Sequence, residues 1–218
     1  MSEEVLQGSV EREGIEIRWI MPEGFFELPM EAEDEDEIGE RLVDLARRAL
    51  PGADFEIQLQ WAVMCAANYG AFAEAGVQYA GFCMTEVDGT RCTATVNVSL
   101  FDLDARAGSD PAGFIASSMR YLDSGQVAQI DLPCGPAVSC IGNRQAPVDG
   151  SITASESDEA VWTSFIQIQV PMSNGTVLMM EMSTPTAEGW ETFSSMFAGV
   201  VKSIRLFDVD GEPLVMPG

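Results

Sequence analysis

Histidine is absent from the chain, and lysine occurs once, at Lys202. Without an imidazole there is no Ser-His or Cys-His dyad, no His-ligated zinc and no ordinary neutral-pH acid–base group. Schiff-base or Ser-Lys chemistry would have to use Lys202. That residue falls near the end of a predicted helix, where a cation simply complements the dipole. Basic residues are scarce altogether: 11 stand against 35 acidic ones, for a formal net charge of -24 at pH 7. A field of that sign repels phosphate backbones and anionic lipid surfaces, so the expected partners include neither nucleic acid nor membrane. The plain reading of the charge is solubility, and the sharper one is a protein partner with a basic surface.

Other absences narrow the chemistry further. The five cysteines, Cys65, Cys83, Cys92, Cys134 and Cys140, form no C-x-x-C pair and no zinc-like spacing. Buried free thiols in a reducing cytoplasm are expected, with Cys134 and Cys140, on either side of Gly135-Pro136, the one pair placed to approach each other. No stretch approaches the ~18 apolar residues needed to span a bilayer. Met1-Ser2-Glu3-Glu4 is acidic with no apolar run behind it, which argues against a secretory signal. Cytoplasmic localisation is the expectation. No G-x-x-x-x-G-K-[ST], G-x-G-x-x-G or G-x-S-x-G motif occurs. Asp208-Val209-Asp210-Gly211-Glu212 superficially resembles a calcium loop but lacks the third oxygen position before the glycine and the distal bidentate glutamate. The expectation is a protein without catalytic residues, cofactor or metal.

What remains is a well-furnished globular sequence. Its 218 residues are 46% hydrophobic and 21% charged, within the range of a folded domain. A chain of this size buries roughly 70% of its unfolded surface. One α+β domain over 1–218 is expected, with a short tail at 208–218. Residues 14–22 alternate as a strand, and Gly24 to Pro29 is a second extended piece. The acidic run 31–37 leads into a helix striped by Ile38, Leu42, Leu45 and Ala49 and stopped by Pro51-Gly52. Residues 54–75 read mostly as helix. Gly76 to Leu103 is a strand pair turning at Asp88-Gly89, with Val87 opposite Thr90 and Glu86 opposite Arg91. Asp110-Pro111 caps a helix whose expected stripe is Phe114, Ile115, Ser118, Met119 and Leu122. One or two strands over 126–150 and a loop at 151–159 follow. A second hairpin, 161–170 with 176–184, turns at Ser173-Asn174-Gly175. Thr184-Pro185 then opens a last helix with Trp190, Phe193, Phe197, Val200, Val201 and Ile204 on one side.

Four features invite function. Cys92, Ala94, Val96, Val98 and Leu100 point one way along their strand, while Thr93, Thr95, Asn97 and Ser99 point the other. With Gln78, Gln167 and Gln169 these polar residues make a candidate binding face, a sheet surface where a sandwich would have apolar cover. Glu33, Asp34, Glu35 and Asp36, the densest charge, are candidates for steering a basic partner; the alternative is a solvated helix start. Glu181, among Met179, Met180 and Met182, is the most unusual carboxylate, expected to face solvent or an arginine. The twelve methionines fall mostly on core faces, although methionine-rich surfaces also adapt to varied partners.

From Val161 to Phe207 the order of strand, Asn-Gly turn, strand, Ser183-Thr184-Pro185 and aromatic helix resembles the PsbP-like α/β/α sandwich family. Pro22-Glu23-Gly24-Phe25 through Pro29 looks like that family's opening strand. More narrowly, the chain looks like an actinobacterial branch with some members near type VII secretion loci. The resemblance implies an antiparallel sheet flanked by helices and a binding or accessory role, and it supplies no catalytic residue. The leading expectation is a non-enzymatic accessory or chaperone-like protein that uses a sheet face or groove. An acidic inhibitor or immunity protein against a basic toxin enzyme is the alternative, and a hydrolase working with carboxylates alone is the third reading.

Overall fold

The computed structural model describes residues 6–32, 34–148 and 159–216. In chain order its strands are β1 (Leu6–Arg12), β2 (Ile15–Met21), β3 (Phe25–Glu27), β4 (Val77–Val87), β5 (Thr90–Asp102), β6 (Gln126–Leu132), β7 (Gly135–Val148), β8 (Glu159–Pro171), β9 (Thr176–Thr184), β10 (Arg205–Phe207) and β11 (Pro213–Leu214). The helices are α1 (Glu35–Ala49), α2 (Phe55–Glu74), α3 (Pro111–Tyr121) and α4 (Trp190–Ser203). Seven strands form one antiparallel sheet in the order β3-β4-β5-β9-β8-β7-β6, and four form a smaller one in the order β1-β2-β10-β11. The fold class is α+β.

Turn chemistry sets the hairpins. Asp88 and Gly89 both take positive φ, 51° and 80°, and hold Val87 opposite Thr90 and Glu86 opposite Arg91. The β8–β9 turn is longer than an Asn-Gly pair. It spans 172–175, with Met172 N–H donating to the Thr176 carbonyl at 2.8 Å and only Gly175 at positive φ. Strand β1 is not evident in the sequence pattern. It pairs with β2 along its whole length and places Gly8 beside Trp19, where an added Cβ would lie 2.3 Å from the indole.

Caps explain two helix starts. Asp34 accepts from Glu37 N–H at 2.7 Å, and Asp110 accepts from Gly113 N–H at 2.8 Å. The buried stripe of α3 is Ala112, Ile115, Ala116 and Met119. Leu122 was expected in it but lies beyond the helix end and is 72% exposed. The last helix also starts later than Thr184-Pro185 suggests. Thr184 Oγ1 donates to the Thr93 carbonyl at 2.6 Å, a 3-10 turn occupies Ala187–Gly189, and α4 begins at Trp190.

One face of the large sheet is apolar. Cys92, Ala94, Val96, Val98, Leu178, Met180, Met182, Ile168 and Val170 bury against Ile15, Ile17, Trp19 and Met21 of the small sheet and Phe193, Phe197, Val200 and Val201 of α4. On the opposite face two separate clusters form. Helices α1 and α2 cover Leu28 and Ala80 at one end of the sheet. Helix α3 covers Val138, Cys140, Phe165 and Val177 at the other.

Candidate functional site

Between those two helical blocks the middle of the sheet carries polar side chains. Strand alternation places them there, and strand order aligns them in three rows. The register runs Ala80–Asn97–Glu181–Gln167–Cys140, then Phe82–Thr95–Ser183–Phe165–Gly142, then Val77–Ser99–Met179–Gln169–Val138. The row ends are apolar, and all but Gly142 belong to the helix-covered clusters, while the row centres are mostly polar. The result is a polar floor three strands wide, β5, β9 and β8, walled by helices.

The expected face is therefore largely assembled in space. Thr95 and Ser183 hydroxyls hydrogen-bond at 2.9 Å, while Thr93 and Thr95 remain exposed. Ser99 is buried, and Gln167 and Gln169 are half-buried. Gln78 is exposed but falls at a register shift between Val77 and Tyr79, outside the three rows. Asn97 Oδ1 is buried and accepts no hydrogen bond among the described residues.

Glu181 anchors the floor. The residue is 6% exposed, and both carboxylate oxygens are taken by Arg144, through Nη1 at 3.1 Å and through Nη2. Gln167 Nε2 donates to Glu181 Oε2 at 3.2 Å, and Gln169 Nε2 donates to Gln167 Oε1 at 3.0 Å. The Arg144 guanidinium also lies 5.1 Å from the Phe165 ring centroid. A carboxylate clamped this way holds the Gln167 and Gln169 amides in one chain of hydrogen bonds. Arg144 and Ser183 escape a reading of the sequence because their places depend on strand order.

One cleft reaches this region and another lies apart from it, at the β3 edge of the sheet. The first, about 630 Å3, is lined by the α1–α2 connection, Ile57, Met84, Arg91 and Thr93, and so opens onto the end of the polar floor. The other, about 830 Å3, lies beside β3 and gathers Arg41, Arg47 and Arg48 with Phe25, Leu28 and Met30. Two of its cations already have partners: Arg41 bridges Glu37, and Arg47 bridges Asp44.

Among the described residues the other sequence candidates lie away from the polar floor. Asp34 is the α1 cap, Glu35 and Asp36 lie exposed in its first turn, and Glu33 lies outside the described residues. All five thiols are free. Cys134 and Cys140 are both buried but in different clusters, one with the inter-sheet core and one under α3. Burial pushes the thiols of Cys83, Cys134 and Cys140 upward and that of Cys65 to about 12. Asp208 Oδ1 accepts from the N–H groups of Asp210 and Glu212, each at 2.9 Å, so the calcium-like motif is a self-bonded turn. Among the described residues no group of three acidic or cysteine side chains is placed to hold a metal ion. Among them, too, no helix is long and apolar enough to cross a membrane.

No protein-family model matches the chain, and no curated protein matches it in sequence. Among solved structures it is similar to the solution structure of cyanobacterial PsbP (CyanoP) from Synechocystis sp. PCC 6803. That match has 12% identity and a TM-score of 0.42, covering 93% of this chain and 92% of that one. It is also similar to the crystal structure of LpqN, involved in cell envelope biogenesis of Mycobacterium tuberculosis. Here identity is 11% and the TM-score 0.40, covering 94% of this chain and 92% of that one. No residue role transfers at such identities.

Proposed function

We propose that this chain is a non-enzymatic accessory protein that holds a basic protein segment, chaperone-like, along the polar floor of its large sheet. The observation that carries the reading is the floor itself. Three central strands bear hydroxyl and amide groups where a closed sandwich would bury apolar ones, and helices stand on either side. Threonines, glutamines and an asparagine recognise backbone and side-chain hydrogen-bonding groups without demanding one shape. The acidic surface brings a cationic partner to them. Glu181, fully engaged by Arg144 and Gln167, supports a positioning role rather than proton transfer.

The test uses a photo-crosslinking residue at Thr95 in the full chain, expressed in its native host, with the same residue at Ser117 on the exposed side of α3 as control. A discrete protein adduct is expected from Thr95 alone. Substituting Thr93→Trp, at an exposed position beside the floor, should then abolish that adduct while the chain keeps its native circular dichroism spectrum, and adding Gln167→Ala should keep it abolished at some cost in melting temperature. Adducts from Ser117 only, or an adduct that survives the double substitution, overturn the proposal.

A further inference from the structure

Helix α2 is apolar on sides it does not bury. It carries only two charges in its 20 residues, Glu56 and Glu74, one at each end. Its inner side is fixed by Trp61 against Phe82, Gln58 Nε2 donating to the Leu50 carbonyl, and Tyr69 hydroxyl reaching the Pro29 carbonyl. Outside, Phe55, Leu59, Val63, Ala66, Gly70 and Ala73 follow one another at three and four residues, and all six are exposed. The three large ones are 58%, 41% and 61% exposed. An uncharged stripe of this length on so acidic a molecule marks a contact surface.

The order of sizes along the stripe names the occupant. Bulky residues fill its first half and small ones its second. We infer that α2 pairs with α2 of a second copy of this chain, antiparallel about a two-fold axis near Val63 and Ala66. In that register Leu59 meets Gly70, Val63 meets Ala66 and Phe55 meets the turn of Ala73, so each knob faces a hollow. Parallel pairing would set bulk against bulk and leave a void at the other end. The stripe is about 30 Å long and 12 Å wide, on the order of 400 Å2 per copy. That is about half of what a standard interface buries per partner, so the pair belongs to the weak, micromolar class. Two copies of charge -24 repel, and Glu56 of one lies near Glu74 of the other at each end of the seam. Association therefore tightens with salt, by about threefold or more between roughly 0.1 M and 1 M, as the Debye length shrinks from about 10 to 3 Å.

Sedimentation velocity of the full chain over a concentration series, at both salt levels, tests this. A reversible dimer strengthened by salt is expected, and Val63→Glu should leave it monomeric with an unchanged melting temperature. The paired substitutions Leu59→Cys and Gly70→Cys should crosslink between copies under mild oxidation, and Leu59→Cys alone should not. A monomer at all concentrations, a dimer indifferent to Val63→Glu, or efficient crosslinking through Leu59→Cys alone refutes the proposal. Cosedimentation of the monomer with phosphatidylcholine vesicles, lost in Val63→Glu, would assign the stripe to a lipid surface instead and equally refute it.

Discussion

Glu181 and Arg144 share one ion pair but not one environment: the Arg144 side chain keeps 48% of its surface and the Glu181 side chain 8%. Removing the arginine strands a carboxylate under the sheet surface, whereas removing the charge from the glutamate leaves an arginine that water still reaches. Arg144→Ala is expected to cost roughly 1–3 kcal/mol in urea denaturation, and Glu181→Gln distinctly less. Equal losses would contradict the asymmetry. The thiols make a second prediction at this scale. An unfolded cysteine ionises near pH 8.5, whereas burial holds Cys65 as a thiol up to about 12. The folded state then binds protons that the unfolded state releases, so stability is full below the unfolded value and falls as pH rises through that window. The melting temperature should be flat from about pH 7 to 8.5 and decline above it, less steeply in Cys65→Ala. The same burial predicts that Ellman's reagent titrates few of the five thiols in the native protein and all of them in denaturant.

Helix α4 is held by Phe193 and Phe197, both buried against strands of the two sheets, and Phe197→Ala should cost about 3–5 kcal/mol. Helix α1 gives a finer test because its acidic start has two possible uses. Asp34→Asn keeps an oxygen for the Glu37 N–H and should hold stability, while Asp34→Ala should lose about 1 kcal/mol. Replacing Glu35 and Asp36 by their amides should slow association with a basic partner if the run steers, and otherwise only trim stability through the dipole. Elements governed by local chemistry were legible in the sequence: the Asp88-Gly89 hairpin, the Asp110 cap, the period-two face of β5. Those governed by distant neighbours were not. Strand β1, with Gly8 in its middle, owes its strand geometry to pairing with β2 and its glycine to Trp19. The polar rows were half legible for the same reason: alternation exposes Thr95 and Asn97, but only strand order sets them beside Ser183 and Glu181. The outer stripe of α2 was hidden by the helix's even apolarity, which does not say which side is covered.

Across the whole molecule the two sheets and α4 share one core, so near-ultraviolet signals from Trp19 and far-ultraviolet signals from the strands should vanish in a single transition. Two separated transitions would mean that the small sheet melts by itself. Salt should act in opposite directions on the two surfaces described above, weakening a charge-steered partner on the polar floor and strengthening the α2 pair. The small sheet carries a further implication, which concerns time. Its centre joins Arg18 to Arg205 and Ile17 to Leu206. A ribosome adding roughly 5–20 residues per second needs on the order of ten to forty seconds to travel from one strand to the other. Through that interval Ile17, Trp19 and Met21 have no partner on the β10 side, and the hairpin of β1 and β2 waits with its core face in water. Synthesis therefore leaves the β1–β2 hairpin sticky until β10 emerges. In cell-free translation, an added holdase chaperone should raise the soluble yield more than the final stability would suggest.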